Sequence, residues 1–252
     1  MIQKLTNVII RQPGYLPNLG FFKKIQSCDT FVFLDDIQFV KDRFDNRNRI
    51  RTKDGTTWLT VPVKRPVFKK NLNEILITND IDWQRNHLNI IEEAYHDAPF
   101  FTTYWYSLQK ILDKNWTKLI DLNIELIRYF MSALNLMTCT VNSSTLKKSS
   151  NRSQRLLDIC KHLDASCYIS GKLGKDYLDE EIFHNSGIKI IYEFDVSEFS
   201  YHLSGFEPTR YFPKCILFWM DGKTKEELRD IRDVNGLRFI KDMDFRLLSS
   251  QV

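Results

Sequence analysis

In the second half of the chain, the residues best suited to chemistry follow an apolar run and include two glycines. Residues 168–178 read Tyr-Ile-Ser-Gly-Lys-Leu-Gly-Lys-Asp-Tyr-Leu, which predicts a strand, a glycine loop and the start of a helix. Backbone N–H groups and the dipole at a helix start attract anions, and two lysines add positive charge. We predict that this second glycine loop (residues 170–176) binds a phosphate or carboxylate through Ser170, Gly171, Lys172, Gly174, Lys175 and Asp176. The loop matches neither GxxxxGK[ST] nor GxGxxG, and an ordinary βα turn is the alternative interpretation.

A first glycine loop (residues 12–20) follows the apolar run Val8 to Ile10 and reads Gln-Pro-Gly-Tyr-Leu-Pro-Asn-Leu-Gly. Nucleotidylyl-transfer folds clamp ATP between a loop after the first strand and a lysine/serine loop late in the chain, and this chain has that layout. It lacks the two histidines that usually mark the first loop, so the analogy rests on fold. We predict that Gln12, Gly14 and Lys23 contact substrate phosphates and that Tyr15 is catalytic.

Two further polar groups accompany these loops. Asp35 and Asp36, with Gln38, end the apolar run Phe31 to Leu34. One carboxylate is expected to face the site, where it would act as a general base or hold Mg²⁺ through its waters; loop capping is the alternative. The second group alternates amide with guanidinium side chains: Asn46, Arg47, Asn48 and Arg49. These donors suit sugar hydroxyls or a diphosphate, and a solvated loop is the alternative interpretation.

Composition limits the classes of protein and partner. The chain has 252 residues, 43% hydrophobic, with a formal net charge of +4. Its basic residues are scattered apart from a denser segment at 41–53, which could hold phosphates or be a solvated loop, so we expect no nucleic acid partner. Five cysteines without a CxxC pair predict buried thiols, and five dispersed histidines predict no metal site. We find neither the roughly 20 apolar residues of a membrane span nor a secretory signal, and expect a cytoplasmic protein.

Strand and helix patterns alternate in two blocks. The first block predicts a strand, a helix near residues 18–27 and a second strand; residues 57–63 and 74–78 predict further short strands. Helices are predicted at 82–95, with Asp82 as the N-cap, from residue 99 and at 117–134. The second block predicts strands at 138–141, 166–170 and 188–192, with helices at 152–163 and 175–184. A charged helix is predicted at 224–233.

Strands that alternate with helices of this length pair in parallel through right-handed crossovers. We therefore predict an α/β protein with a mostly parallel, Rossmann-like sheet and an inserted helical subdomain. The core would comprise residues 1–80 and 136–220, the insertion residues 81–135, and a C-terminal extension residues 221–252.

Several of these segments together closely resemble the WbqC-like family. They are residues 12–17, 20–25, 31–39, 46–50, 58–63, 169–171 and 174–178. The resemblance covers about residues 6–220, with the motifs in the family's order; this chain has Asn18 where members have Trp, and Lys172 where they have a small residue. It implies a setting in bacterial gene clusters for O-antigen and other surface polysaccharides, and glycine transfer to an amino sugar has been suggested for some members.

The residues and the resemblance together lead to one hypothesis and two rivals. The leading one is a cytoplasmic transferase that attaches an aminoacyl or acyl group to a nucleotide-linked sugar, with Asp35 or Asp36 acting on the sugar amine. Its donor, whether an ATP-activated amino acid, a CoA ester or aminoacyl-tRNA, stays open; self-activation of the amino acid would require ATP and Mg²⁺. The rivals are a nucleotidylyltransferase or ligase, and a non-catalytic assembly protein.

Overall fold

The structure is a computed structural model that describes residues 6–41, 43–52, 55–98 and 101–192. Within these ranges it has seven strands and six α-helices. The strands are β1 (Asn7–Arg11), β2 (Thr30–Phe33), β3 (Arg47–Thr52), β4 (Gly55–Thr60), β5 (Cys139–Asn142), β6 (Cys167–Ser170) and β7 (Lys189–Tyr192). The helices are α1 (Leu19–Gln26), α2 (Trp83–Tyr95), α3 (Phe101–Leu112), α4 (Leu119–Ala133), α5 (Arg152–His162) and α6 (Glu180–Asn185).

Five of the strands form one parallel sheet in the order β5-β2-β1-β6-β7. Numbered by their succession in the chain, they run 3-2-1-4-5 across the sheet, the arrangement of doubly wound nucleotide-binding folds. The chain moves outward from β1 in one direction and then returns to its other side at β6. The predicted α/β class and mostly parallel sheet are therefore confirmed.

Both faces of this sheet are buried, which explains the continuous apolar runs in its strands. Ile9, Phe31 and Ile169 belong to a cluster shared with α1 to α4, whereas Val8 and Tyr168 belong to a second cluster shared with α5 and α6. Alternate side chains of a strand point to opposite faces, so the sheet lies between two helical layers.

The segment between β2 and β5 carries the inserted helices. Their bounds agree closely with the predicted ones, and Asp82 caps α2 as predicted, accepting a hydrogen bond from the Arg85 N–H at 3.1 Å. Phe130 of α4 packs against Phe22 of α1 with ring centroids 5.7 Å apart. Since these helices share one cluster of buried side chains with the sheet, they have no hydrophobic core separate from it.

One strand was not predicted, and two predicted local elements are wrong. No element was predicted at 47–52, where the structure has β3, which pairs antiparallel with β4 in a separate two-stranded sheet. Residues 74–78 form no strand, because only the isolated bridges Val63–Ile77 and Leu76–Lys118 connect this stretch to its neighbours. The single helix predicted at 175–184 is instead a 3₁₀ turn, Lys172–Asp176, followed by the shorter α6.

Other predictions meet the structure in part. Cys28, Cys160 and Cys167 are buried thiols, but Cys139 is exposed because it begins the edge strand β5. In the described part of the chain, no helix has the length and apolar character needed to cross a membrane, and no group of three or more His, Cys, Asp and Glu side chains is placed to hold a metal ion. The C-terminal helix predicted at 224–233 and Cys215 lie outside the described residues.

The second hydrophobic cluster generates a test of the layered fold. Phe183 of α6 is fully buried and stacks on Tyr168 of β6 with ring centroids 5.6 Å apart. Phe183→Ala should lower the free energy of unfolding by about 3–5 kcal/mol, because the cavity cannot fully collapse. Urea denaturation measures this loss. Phe68, 77% exposed, provides the control: Phe68→Ala should change stability by less than about 0.5 kcal/mol, and an equal loss in both variants would contradict the packing.

Candidate functional site

The two glycine loops begin at the same rim of the sheet, where β1 and β6 end side by side. The strands pair in parallel with Ile9 opposite Ile169, so the residues that follow them emerge at the same edge. Arg11, the last residue of β1, reaches across to the second glycine loop: its Nη1 lies 2.9 Å from the position that a Cβ on Gly171 would occupy. Ligands of open α/β sheets bind in this crevice, between strands where the order reverses.

The second glycine loop is a tight turn with exposed charges. The Gly174 N–H donates to the Gly171 carbonyl at 2.7 Å, and the Leu178 N–H donates to the Gly174 carbonyl at 2.9 Å. The Gly174 N–H is therefore occupied within the turn, and the loop continues as a 3₁₀ turn rather than as the start of an α-helix. The loop's exposed charged side chains are Lys172, Lys175 and Asp176.

Ser170 is turned into this loop. Its side chain is 1% exposed, and its hydroxyl donates to the Gly171 carbonyl at 3.3 Å. A Cβ on Gly174 would lie only 2.1 Å from Ser170 Oγ, so the glycine is required by this close approach. Arg152, at the start of α5, extends the positive charge beside the loop, where its guanidinium carbon lies 3.5 Å from the centre of the Tyr177 ring.

Buried amides hold the first glycine loop in a fixed conformation. Asn48 Nδ2 donates to the carbonyls of Tyr15 (3.3 Å) and Leu16 (2.7 Å), and Asn123 Nδ2 donates to the Pro13 carbonyl at 2.9 Å. Leu16 has φ 45°, a left-handed conformation that is costly for such a residue and persists only where its surroundings fix it. At Gly14, a Cβ would lie 2.8 Å from the carbonyl oxygen of Phe44, which precedes β3. Only glycine therefore allows the backbone at Phe44 to approach this closely.

Tyr15 and Lys23 lie below this loop's surface. Tyr15 is fully buried, and its hydroxyl hydrogen bonds with His87 Nδ1 at 2.9 Å; burial raises the pKa of Tyr15 above its ordinary value. Its hydroxyl thus joins the loop to α2 rather than opening onto the crevice. Burial lowers the pKa of Lys23 to about 7, so this lysine is only partly charged at neutral pH. Gln12 is half-buried at the start of the loop.

The two aspartates after β2 bind the segment that follows β5. Asp35 accepts hydrogen bonds from Ser143 Oγ (3.0 Å), from the Ser144 N–H (2.8 Å) and from Ser144 Oγ (2.6 Å). Asp36 forms an ion pair with Lys148 at 2.6 Å and accepts a hydrogen bond from Ser143 Oγ. Burial alone would raise the pKa of Asp36, but the bonds from Lys148 and Ser143 hold that pKa below its ordinary value.

This arrangement matches the capping interpretation of the pair. Asp36 is a weak base, and Asp35 is 3% exposed. Gln38, which we grouped with them, is exposed and forms an isolated bridge with Asn71.

The antiparallel hairpin of β3 and β4 separates the alternating residues 46–49 into two sets. Asn46 and Asn48 are buried and support neighbouring backbone, Asn46 by donating to the Val61 carbonyl at 2.9 Å. Arg47 and Arg49 lie on the other face, with guanidinium carbons 4.3 and 4.5 Å from the centre of the Trp58 ring. The arginines are half-buried on the Trp58 face of the hairpin, and the asparagines are structural.

Sequence reasoning missed several residues near the site. Arg11 ends β1 as a charged residue after an apolar run, which could have identified it. Ser143, Ser144 and Lys148 carried no such signal, because their partners lie more than 100 residues earlier in the chain.

The contact between Gly174 and Ser170 predicts a measurable coupling. Gly174→Ala should lower the free energy of unfolding by about 1–3 kcal/mol, since the new methyl group overlaps Ser170 Oγ. Adding Ser170→Ala removes that oxygen and should recover part of the loss, so the two changes should be non-additive in a denaturation cycle. Gly20→Ala, in the first turn of α1, is the control and should have little effect; full additivity would contradict the described turn.

The ion pair of Asp36 and Lys148 predicts a pH-dependent stability. Because the pKa of Asp36 is lowered on folding, its contribution is complete above its unfolded pKa and is lost as pH falls through the lower folded value. Lys148→Met leaves a partly buried carboxylate unpaired and should cost about 3 kcal/mol at neutral pH. The cost should shrink at about pH 3, where carboxylates become protonated.

Unfolding by urea across this pH range measures the effect. Lys147→Met, at the exposed neighbouring position, is the matched control and should change little at either pH. A cost of Lys148→Met that is independent of pH would show that the pair does not form.

Comparison with known proteins agrees with the resemblance in the motifs. The model of the WbqC-like protein family matches residues 12–209. A relative from Mycobacterium tuberculosis (strain ATCC 25618 / H37Rv), named "Uncharacterized protein Rv1507c", is 32% identical over 208 residues, which cover 81% of this chain and 90% of the relative. No solved structure gives a significant match. The chain belongs to the WbqC-like protein family.

Proposed function

We propose that this protein is a transferase that attaches an aminoacyl or acyl group to a nucleotide-linked amino sugar. The observation that supports it most is that both glycine loops begin at the crevice between β1 and β6, with Arg11 reaching Gly171. This is the position where doubly wound sheets bind the phosphates of nucleotides. The setting that the family resemblance implies, synthesis of O-antigen, lipopolysaccharide and related surface polysaccharides, supports this proposal, in which the reaction takes place in the cytoplasm.

Exposed cations at the crevice give the proposal its electrostatic basis. Arg11 ends β1, Lys172 and Lys175 lie on the second glycine loop, and Arg152 lies beside that loop on Tyr177. A nucleotide sugar carries a diphosphate, and guanidinium groups bind phosphate oxygens in bidentate fashion. Lys23, with a pKa near 7, would add less charge than a solvent-exposed lysine.

The acceptor amine is best placed near the end of β2. The Leu34 N–H donates to the Arg11 carbonyl at 2.8 Å, so Asp35 and Asp36 follow the strand next to the crevice. Because Lys148 and Ser143 keep the pKa of Asp36 low, Asp36 would orient a sugar ammonium rather than accept its proton. The proton acceptor would then be a water molecule or the leaving group.

Thermal unfolding with candidate ligands tests the proposal. We expect a UDP-, GDP- or dTDP-linked amino sugar to raise the melting temperature by about 5–10 °C at roughly a hundredfold excess over its Kd. Lys172→Ala with Lys175→Ala should remove this shift without lowering the melting temperature of the ligand-free protein, since both lysines are exposed.

Lys161→Ala with Lys189→Ala is the control with the same change in charge, because both residues are exposed and Lys189 begins β7 at the opposite edge of the sheet. Its shift should equal that of the unaltered protein. A shift with ATP alone would favour the ligase alternative. No shift with any nucleotide or CoA ester would favour an assembly protein and contradict the proposal.

A further inference from the structure

Positive charge is concentrated in one short part of this nearly neutral chain. Residues 41–70 contain ten Lys and Arg and three Asp, a net charge of +7. The whole chain has a net charge of +4, so the remaining residues together carry −3. Such asymmetry attracts a polyanion to one face of a protein, and β3 and β4 lie at the centre of this basic segment.

The hairpin places aromatic rings among these cations. We use the term hairpin surface for Phe44, Arg47, Arg49 and Trp58. Trp58 is 38% exposed and Phe44 53% exposed, with ring centroids 6.1 Å apart. The guanidinium carbons of Arg47 and Arg49 lie 4.3 and 4.5 Å from the centre of the Trp58 ring.

This geometry prepares the surface for a nucleic acid strand. Stacking on an indole restricts each guanidinium, so less entropy is lost when its N–H groups bind a phosphate. Exposed aromatic rings among basic side chains are what proteins use to stack the bases of single strands. An anionic membrane is a poorer fit, because surface-binding elements place a broad aliphatic face in the lipid, whereas this surface is built on a two-stranded sheet.

The hairpin surface is continuous with the first glycine loop. The Tyr15 N–H donates to the Phe44 carbonyl at 3.0 Å, and Phe44 Cβ lies 3.9 Å from the position of a Cβ on Gly14. A strand bound on Trp58 and Phe44 therefore has a short path to the crevice rim. This continuity connects the basic segment to the proposed reaction.

We propose that the hairpin surface binds RNA, and that the activated donor of the transferase is an aminoacyl-tRNA bound there by its single-stranded 3′ end. This inference rests on the proposed function. The sugar amine nitrogen would attack the ester carbonyl carbon of the donor, forming the amide C–N bond while the C–O bond to the ribose breaks. The ribose oxygen leaves with the proton that the amine loses, so no other co-reactant is needed.

Fluorescence anisotropy with a labelled 12-nucleotide RNA and with unacylated total tRNA tests RNA binding by the full-length protein. Arg47→Gln with Arg49→Gln should weaken binding about tenfold at 0.1 M salt and reduce the slope of log K against log[salt] by about 1.4. Trp58→Ala should weaken it at least about fivefold through lost stacking. Arg47→Lys with Arg49→Lys, which preserves charge, should recover only part of the affinity.

Two comparisons separate this inference from the proposed function. The double variant Lys161→Gln, Lys189→Gln loses the same charge from exposed residues outside the hairpin surface. It should leave RNA affinity unchanged. The Arg47→Gln, Arg49→Gln protein should keep its melting-temperature shift with the nucleotide sugar, because the crevice is intact.

The inference is overturned if RNA does not bind, if the control pair weakens binding as much as the hairpin pair, or if the surface binds anionic phosphatidylglycerol vesicles in place of RNA. A nucleotide-sugar shift that persists in any of these cases leaves the proposed function standing. If the unaltered protein shows no melting-temperature shift with the nucleotide sugar, the proposed function itself is contradicted.

Discussion

The parallel pairing of β1 with β2 on one side and β6 on the other is the constraint on which the site depends. Backbone hydrogen bonds fix the register of three buried strands, so their carboxyl ends cannot separate without breaking the sheet. The Leu34 N–H extends the pairing one residue beyond β2, to the Arg11 carbonyl. The first glycine loop and the aspartates begin directly after these bonds, and the second glycine loop begins at the end of β6.

Polar side chains with structural roles keep the loops in position. Asn48 and Asn123 hold the first glycine loop by its carbonyl oxygens, and the Tyr15 hydroxyl joins it to His87 of α2. One amide oxygen in the described residues, Asn123 Oδ1, is buried without a hydrogen bond, which is costly. The first glycine loop is therefore held by residues on its buried side, and the exposed lysines of the second glycine loop can contact a ligand.

The parts of the fold that depend on hydrophobic pattern could be predicted from the sequence. Apolar runs revealed the central strands β1, β2 and β6, which are buried on both faces, β-branched residues revealed β5, and Asp82 marked the start of α2. The strand β3 was missed because the buried side chains at its start are the amides of Asn46, just before the strand, and of Asn48 within it. Hydrophobic periodicity cannot detect a strand whose inward residues are amides.

Site residues were harder to predict, because their roles depend on partners distant in the chain. Asp35 and Asp36 were correctly located at a strand end, but their contacts with Ser143 and Lys148 follow from the pairing of β2 with β5. Tyr15 lies next to Gly14 within the first glycine loop, yet backbone geometry turns it into the core. The position of each loop could be predicted from sequence spacing, whereas the direction of its side chains could be determined only from the fold.

A crystal structure of the protein with a bound nucleotide sugar tests the central claim most directly. The account predicts electron density for the diphosphate between Arg11 and the turn at residues 171–175, with the nucleoside extending over the first glycine loop. Density for the nucleotide at another edge of the sheet, with this crevice occupied only by the protein's own side chains, would contradict it.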